Sequence, residues 1–226
     1  MSSDAPPPKS SNLVLRIFGG LFGLIAIAGG IASINSGIDE IFGDGGKVKA
    51  ISTECDKSID QANEFNAAAT KHLNALLKNV DDQGLEVVRK DQAVDVKKAI
   101  EEYASSAAAF RQAADKLDEA KPLKIKDKLR KFIELKSNAY RLNAESCDRN
   151  QDLLRLLIDD SVKTIDDLLA KMNPIVEQRE ACLKQARTFE REANDAVGLP
   201  NEPEPETKPA ASAPPAVEAP AVKPTN

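Results

Sequence analysis

The stretch from Val48 to Val80, VKAISTECDKSIDQANEFNAAATKHLNALLKNV, decides the fold. Its apolar residues recur every three or four positions, a spacing that keeps them on one side of an α-helix. The members of this stripe are Val48, Ile51, Cys55, Ile59, Ala62, Phe65, Ala69, Leu73, Leu76 and Val80. We therefore predict an amphipathic helix that buries one face against other helices.

Three more apolar stripes with the same spacing follow along the chain. The run DDQG, residues 81–84, predicts the end of the first helix, because glycine is suited to terminating a helix. The second stripe is Val96, Ile100, Tyr103, Ala107, Phe110, Ala114 and Leu117; the third is Ile125, Leu129, Phe132, Leu135, Ala139, Leu142, Leu154 and Leu157; the fourth is Ile165, Leu169, Met172, Val176, Cys182, Ala186, Phe189, Ala193 and Val197.

The connections between these stripes are short. Lys121 and Pro122 interrupt the chain after the second stripe, and Thr164 with Asp167 resembles a capping box before the fourth. Short connections make neighbouring helices antiparallel, so we predict an all-α, up-down-up-down four-helix bundle. The alternative is a three-helix bundle in which residues 122–198 form one long helix kinked at Pro174.

Glycine and proline divide the chain into segments. Nine of the eleven glycines lie in residues 19–46, and eight of the thirteen prolines lie from Pro200 onward. We predict a flexible cytoplasmic lead (1–12), a transmembrane helix (13–36), a glycine-rich linker (37–46), the helical bundle (47–198) and a disordered, Pro/Ala-rich tail (199–226).

The segment 13–36 has the properties of a single membrane span. Arg16 is its only charged residue, and about 20 apolar residues suffice to cross a bilayer as a helix. Lys9 and Arg16 lie on its N-terminal side, which predicts a cytoplasmic N-terminus and a periplasmic or extracellular bundle and tail. Cleavage of a signal peptide after Ala28, where AIA has a small-x-small form, is the alternative.

Small residues recur along this span at spacings of three and four. Small residues let transmembrane helices approach closely, so this seam predicts contact with another transmembrane protein or with a second copy of the chain. The members of the seam are Gly19, Gly23, Ala26, Gly30, Ser33 and Gly37. Chance recurrence is the competing interpretation, since glycine is common in membrane spans.

The bundle sequence contains no recognisable catalytic or metal-binding motif. His72 is the sole histidine, and the paired carboxylates such as Glu101 and Glu102 are adjacent, so on a helix they point in different directions. The net charge of −5 does not favour nucleic-acid binding. We therefore expect a protein without enzymatic activity, cofactor, metal or nucleic-acid partner.

Three cysteines are present, and an oxidising compartment would permit disulfides. Cys147 and Cys182 are a candidate pair. They lie at the same height along their two antiparallel helices only if the turn between these helices centres near Thr164. Cys55 is expected to be a free thiol in the core.

Basic residues are predicted to gather at one end of the bundle. The run KPLKIKDKLRK, residues 121–131, holds six basic residues and one acid, and antiparallel helices place it beside the start of the first helix. The predicted cluster is Lys47, Lys49, Lys121, Lys124, Lys126, Lys128, Arg130 and Lys131. It would face membrane lipid, with Asp81, Asp82, Asp159 and Asp160 at the opposite end. Simple solvation of a helix start is the competing interpretation.

Together these features favour a structural or accessory subunit of a membrane or cell-envelope complex. The alternative is a sensory or ligand-binding four-helix ectodomain, an architecture known from bacterial receptors. Because such receptors need an output domain, this chain would have to signal through a partner.

Overall fold

The computed structural model describes residues 45–201, apart from the side chains of residues 74–84 and 87. This part of the chain consists of helices joined by short connections and contains no strand, which confirms the predicted all-helical fold class. Its helices are α1 (Gly45–Asp91), α2 (Ala93–Asp118), α3 (Asp127–Leu157) and α4 (Ile165–Val197). Helix α1 therefore includes Gly45 and Gly46, which the sequence analysis assigned to the linker.

The chain reverses direction between His72 and Asp95. Contacts across the reversal are the hydrogen bond from Ser106 Oγ to the Ala62 carbonyl (2.9 Å), the Lys116–Glu54 ion pair (3.0 Å) and the approach of His72 Nδ1 to Asp95 Oδ1 (3.9 Å). The residue halfway between the partners is in each case Gly84 or its neighbour. A straight helix would hold positions 72 and 95 about 35 Å apart at its rise of about 1.5 Å per residue.

The sequence predicts the end of the first helix at residues 81–84, but α1 does not end there. The helix is assigned as far as Asp91, where Gln92 interrupts it with a φ of −120° and a ψ of 2°. The Gln92 N–H donates to the Val88 carbonyl and the Val96 N–H donates to the Gln92 carbonyl, both at 3.1 Å. Helical hydrogen bonding therefore continues across Gln92, and α2 extends the segment that follows the reversal.

Helix α4 begins and ends with well-formed caps. The Thr164 hydroxyl accepts a hydrogen bond from the Asp167 N–H (3.1 Å), as the sequence predicts. At the other end Gly198 has a φ of 76°, a left-handed conformation that suits glycine, and the Leu199 N–H donates to the Asn194 carbonyl (2.9 Å). Because α3 ends at Leu157, residues 122–198 are not the single long helix of the three-helix alternative.

The predicted stripes form the core. Within the described part, the large apolar side chains are buried or half-buried except for Val94, which is 64% exposed. Helix α3 is the central element: it packs closely against α2 and α4 and contacts α1 at fewer positions. The largest fully buried side chains of the core include Tyr103, Phe110, Phe132 and Tyr140.

Several predictions fall on residues that are not described. The predicted span 13–36, its small-residue seam and the cleavage point after Ala28 lie outside residues 45–201, as does nearly all of the tail. Among the described helices, none is both long and apolar enough to cross a bilayer.

Replacing Thr164 with Ala should destabilise the fold by about 1 kcal/mol, because the N–H of Asp167 loses its acceptor at the start of α4. Urea unfolding followed by circular dichroism measures this change. Thr188→Ala is the matched control, since the exposed Thr188 hydroxyl only bonds the Lys184 carbonyl of its own helix. Equal stabilities of the two variants would contradict the capping role.

Candidate functional site

The structure brings the predicted basic cluster together at one end of the bundle. Helix α1 starts at this end, and the α2–α3 connection lies beside it because Lys116 pairs with Glu54. Of the eight basic residues, seven are exposed and Arg130 is half-buried. The Arg130 guanidinium donates to the carbonyls of Lys121 and Leu123, so it holds the connection in place.

A carboxylate anchors this connection to α3. Asp118 accepts hydrogen bonds from Ser137 Oγ (2.7 Å) and Arg141 Nη2 (3.0 Å), and it pairs with Lys121 Nζ (2.8 Å). Burial alone would raise the pKa of Asp118, but the hydrogen bonds and charges of Lys121, Ser137 and Arg141 outweigh it and lower the pKa. The carboxylate is therefore ionised at neutral pH and fixes the position of the lysine-rich segment.

The opposite end carries charges of both signs. Asp159 accepts a hydrogen bond from the Ser161 N–H (2.8 Å), which lowers the pKa of its carboxyl group. Arg89 lies at the same end and donates to the carbonyls of Leu157 (3.2 Å) and Val162 (2.7 Å). The predicted acidic end is thus mixed where Asp159 and Asp160 lie, and the side chains of Asp81 and Asp82 are not among those described.

The Cys147–Cys182 disulfide is absent, and the cysteines are free thiols. The two residues are nearly level, as a turn near Thr164 requires, but they face different neighbours. Cys147 Sγ lies 3.5 Å from both Ser106 Oγ and Asn66 Oδ1, toward α1 and α2. Cys182 Sγ lies 3.7 Å from Glu145 Oε2, on the α4 side. The predicted pairing rested on the height of the two residues along the bundle axis. It did not take into account the helix faces on which the two side chains lie.

A buried polar layer lies between α3 and α4, and the apolar stripes of the sequence do not predict it. Arg179 of α4 is only 1% exposed, and its Nη1 donates to Asn150 Oδ1 of α3 (3.3 Å). Burial lowers the pKa of Arg179, while the charges of Glu180 and Tyr103 act in the opposite direction. Burial of a charged group costs solvation energy, which hydrogen bonds and nearby charges have to offset.

The face of α3 that carries Asn150 is polar over about two turns. Asn143, Ser146 and Asn150 recur at spacings of three and four, so they share one face, and all three are buried. On this face Asn143 Nδ2, Ser146 Oγ and Asn150 Nδ2 have no hydrogen-bond partner within the described part of the chain. Native interiors leave few such atoms. We therefore treat this face and Arg179 as the candidate functional site, hereafter the polar layer.

A second buried polar group lies nearer the basic end. Lys136 is 3% exposed and approaches the Phe132 ring, with Nζ 5.9 Å from the ring centre. Burial raises the pKa of the neighbouring Tyr140 well above its usual value, and the nearby Cys55, Glu190 and Asp56 add to the effect. Groups from α1, α3 and α4 therefore meet in this region.

No family model, curated protein or solved structure matches this chain. We therefore infer function from its own residues. Within residues 45–201, no three His, Cys, Asp or Glu side chains are grouped in a way that could hold a metal ion. His72 is half-buried beside Asp95 in the same part of the structure.

The three thiols should react with an alkylating reagent at different rates. Burial raises the pKa of Cys55 and of Cys147 to about 12, which leaves on the order of one thiolate in 10⁴ at pH 8. The partly exposed Cys182 should therefore be modified first, as followed by mass spectrometry of peptides. In denaturing urea all three should react alike, and equal rates in the native protein would contradict the described burial.

Proposed function

We propose that the chain is a non-enzymatic, membrane-anchored helical-bundle subunit of a membrane or cell-envelope assembly. Residues 13–36 would form the single span, with a cytoplasmic N-terminus. An up-down-up-down bundle and a disordered Pro/Ala-rich tail would lie on the periplasmic or extracellular side. The small-residue seam of the span would contact another transmembrane protein or a second copy of the chain.

The basic cluster carries this proposal. Its lysines lie at the end of the bundle where α1 begins at Gly45, a few residues after the predicted span. A bundle attached at this end would hold its basic side chains near the lipid headgroups. Each such residue is worth about 1 kcal/mol at an anionic surface. Asp118 and Arg130 fix the lysine-rich connection, which favours a formed surface over loosely solvated side chains.

Lipid should protect the basic cluster from chemical modification. The full chain is reconstituted into phosphatidylcholine vesicles with or without phosphatidylserine, and its lysines are labelled with an amine-reactive ester. Labelling of Lys124, Lys126 and Lys128 should fall in the anionic vesicles and recover at high salt, because salt screens the attraction.

Lys163 and Lys171 lie toward the opposite end of the bundle and serve as internal controls, since their labelling should not depend on the lipid. If anionic lipid leaves the labelling of the basic cluster unchanged, the proposed orientation is wrong.

Crosslinking tests the seam. Single cysteines replace Gly19, Gly23 and Gly30 in a chain whose native cysteines are changed to alanine, and oxidation is carried out in native membranes. Crosslinks should form at these positions and not at Leu21 or Ala28, which lie on the other side of a helix with this spacing. Equal crosslinking at all five positions would exclude a specific seam, and loss of the segment from the mature chain would exclude the anchor.

A further inference from the structure

Helix α4 has fewer buried residues than α2 or α3. Five of its 33 residues are buried, against ten of 26 in α2 and 17 of 31 in α3. The buried residues of α4 are Leu168, Met172, Arg179, Ala186 and Ala193. Its other large apolar residues, such as Leu169, Val176 and Phe189, are only partly buried against the core. Since burial of apolar surface is the main source of helix attachment, α4 is attached through less fully buried apolar surface than α2 or α3.

The polar layer weakens the same interface. Arg179 is buried against Asn150, and the neighbouring polar atoms of Asn143 and Ser146 find no partner in the described part of the chain. Solvation of these groups by water would offset part of the contact energy lost on separation. The α2–α3 contact differs, because Phe110, Ala113 and Ala114 bring apolar side chains to the interior.

The connection before α4 is fixed at both ends. Arg89 donates to the carbonyls of Leu157 and Val162, so this connection is bound to the segment that precedes α2. Separation of α4 would therefore begin after Val162 and would leave α1, α2 and α3 in contact.

We propose that α4 is a detachable helix, which separates from α3 at the polar layer while α1, α2 and α3 remain folded together. This conformational device is independent of the proposed membrane anchor. It would expose the face of α3 that carries Asn143, Ser146 and Asn150, and it would release Arg179 and Cys182 into solvent.

Adjacent positions on α3 test the proposal directly. Cys147 faces α1 and α2, whereas position 146 shares the face that meets α4, and both are fully buried. Full-length chains in detergent carry one thiol each, either native Cys147 or Ser146→Cys with Cys147→Ala, and Cys55 and Cys182 are changed to alanine in both. Under native conditions, thiol labelling at position 146 should be at least tenfold faster than at Cys147. Equal rates would overturn the proposal.

Hydrogen exchange of the full chain supplies a second measurement that needs no introduced thiol. Amides of α4 should exchange at least tenfold faster than those of α3. In the double variant Arg179→Met with Asn150→Leu, which replaces both members of the buried pair, α4 exchange should slow at least tenfold while α3 exchange stays unchanged.

Arg187→Met is the matched control, because Arg187 lies on the same helix but is only half-buried. It should leave α4 exchange as in the unaltered chain. The proposal would be overturned if the amides of α3 and α4 exchanged at the same rate in the unaltered chain. It would also be overturned if α4 amides in a folded double variant exchanged at an unchanged or faster rate.

Discussion

Helix α3 contacts all three other helices of the described part. The packing of the bundle therefore depends on which face of α3 meets which helix. Toward α1 and α2 it presents Cys147, whose thiol lies against Asn66 and Ser106. Toward α4 it presents Asn150 and the polar residues near it. The contact with α4 therefore depends in part on hydrogen bonding, because buried polar groups stabilise a contact only when each has a hydrogen-bond partner.

Arginine side chains fix the conformation of the two short connections. Arg130 closes the α2–α3 connection by donating to the carbonyls of Lys121 and Leu123, and Arg89 does the same for the α3–α4 connection. Backbone carbonyls in a turn have no helical partner, so a guanidinium with several donors satisfies them and fixes the turn. The fold therefore depends on charged residues in the connections as well as on the apolar stripes of the helices.

Helical spacing was enough to find the fold, because the first stripe from Val48 to Leu73 is buried or half-buried throughout. The start of α4 was also predictable, since Thr164 caps it as its sequence suggests. The polar layer is visible in the sequence only as a gap in two of the apolar stripes. The third stripe lacks an apolar residue between Leu142 and Leu154, and the fourth lacks one between Val176 and Cys182. These gaps are informative only after the register of α3 against α4 is known. The faces of Cys147 and Cys182 also depend on how the helices are rotated, which the level of a residue along the bundle does not determine.

The register also decides where α4 ends. Arg179 lies beside Asn150 and Cys182 beside Glu145, so α4 runs antiparallel to α3 and returns toward the end where α3 begins. That is the end with the basic cluster. Gly198 and the residues after it therefore leave the bundle near Lys128 and Arg130, not at the far end beside Asp159. In an anchored chain the tail would start close to the lipid surface, and a partner that held the tail would also act on α4. Because α4 has fewer buried residues than α2 and α3 and a polar contact with α3, we expect a pull at this end to be resisted less than a pull on α2 or α3.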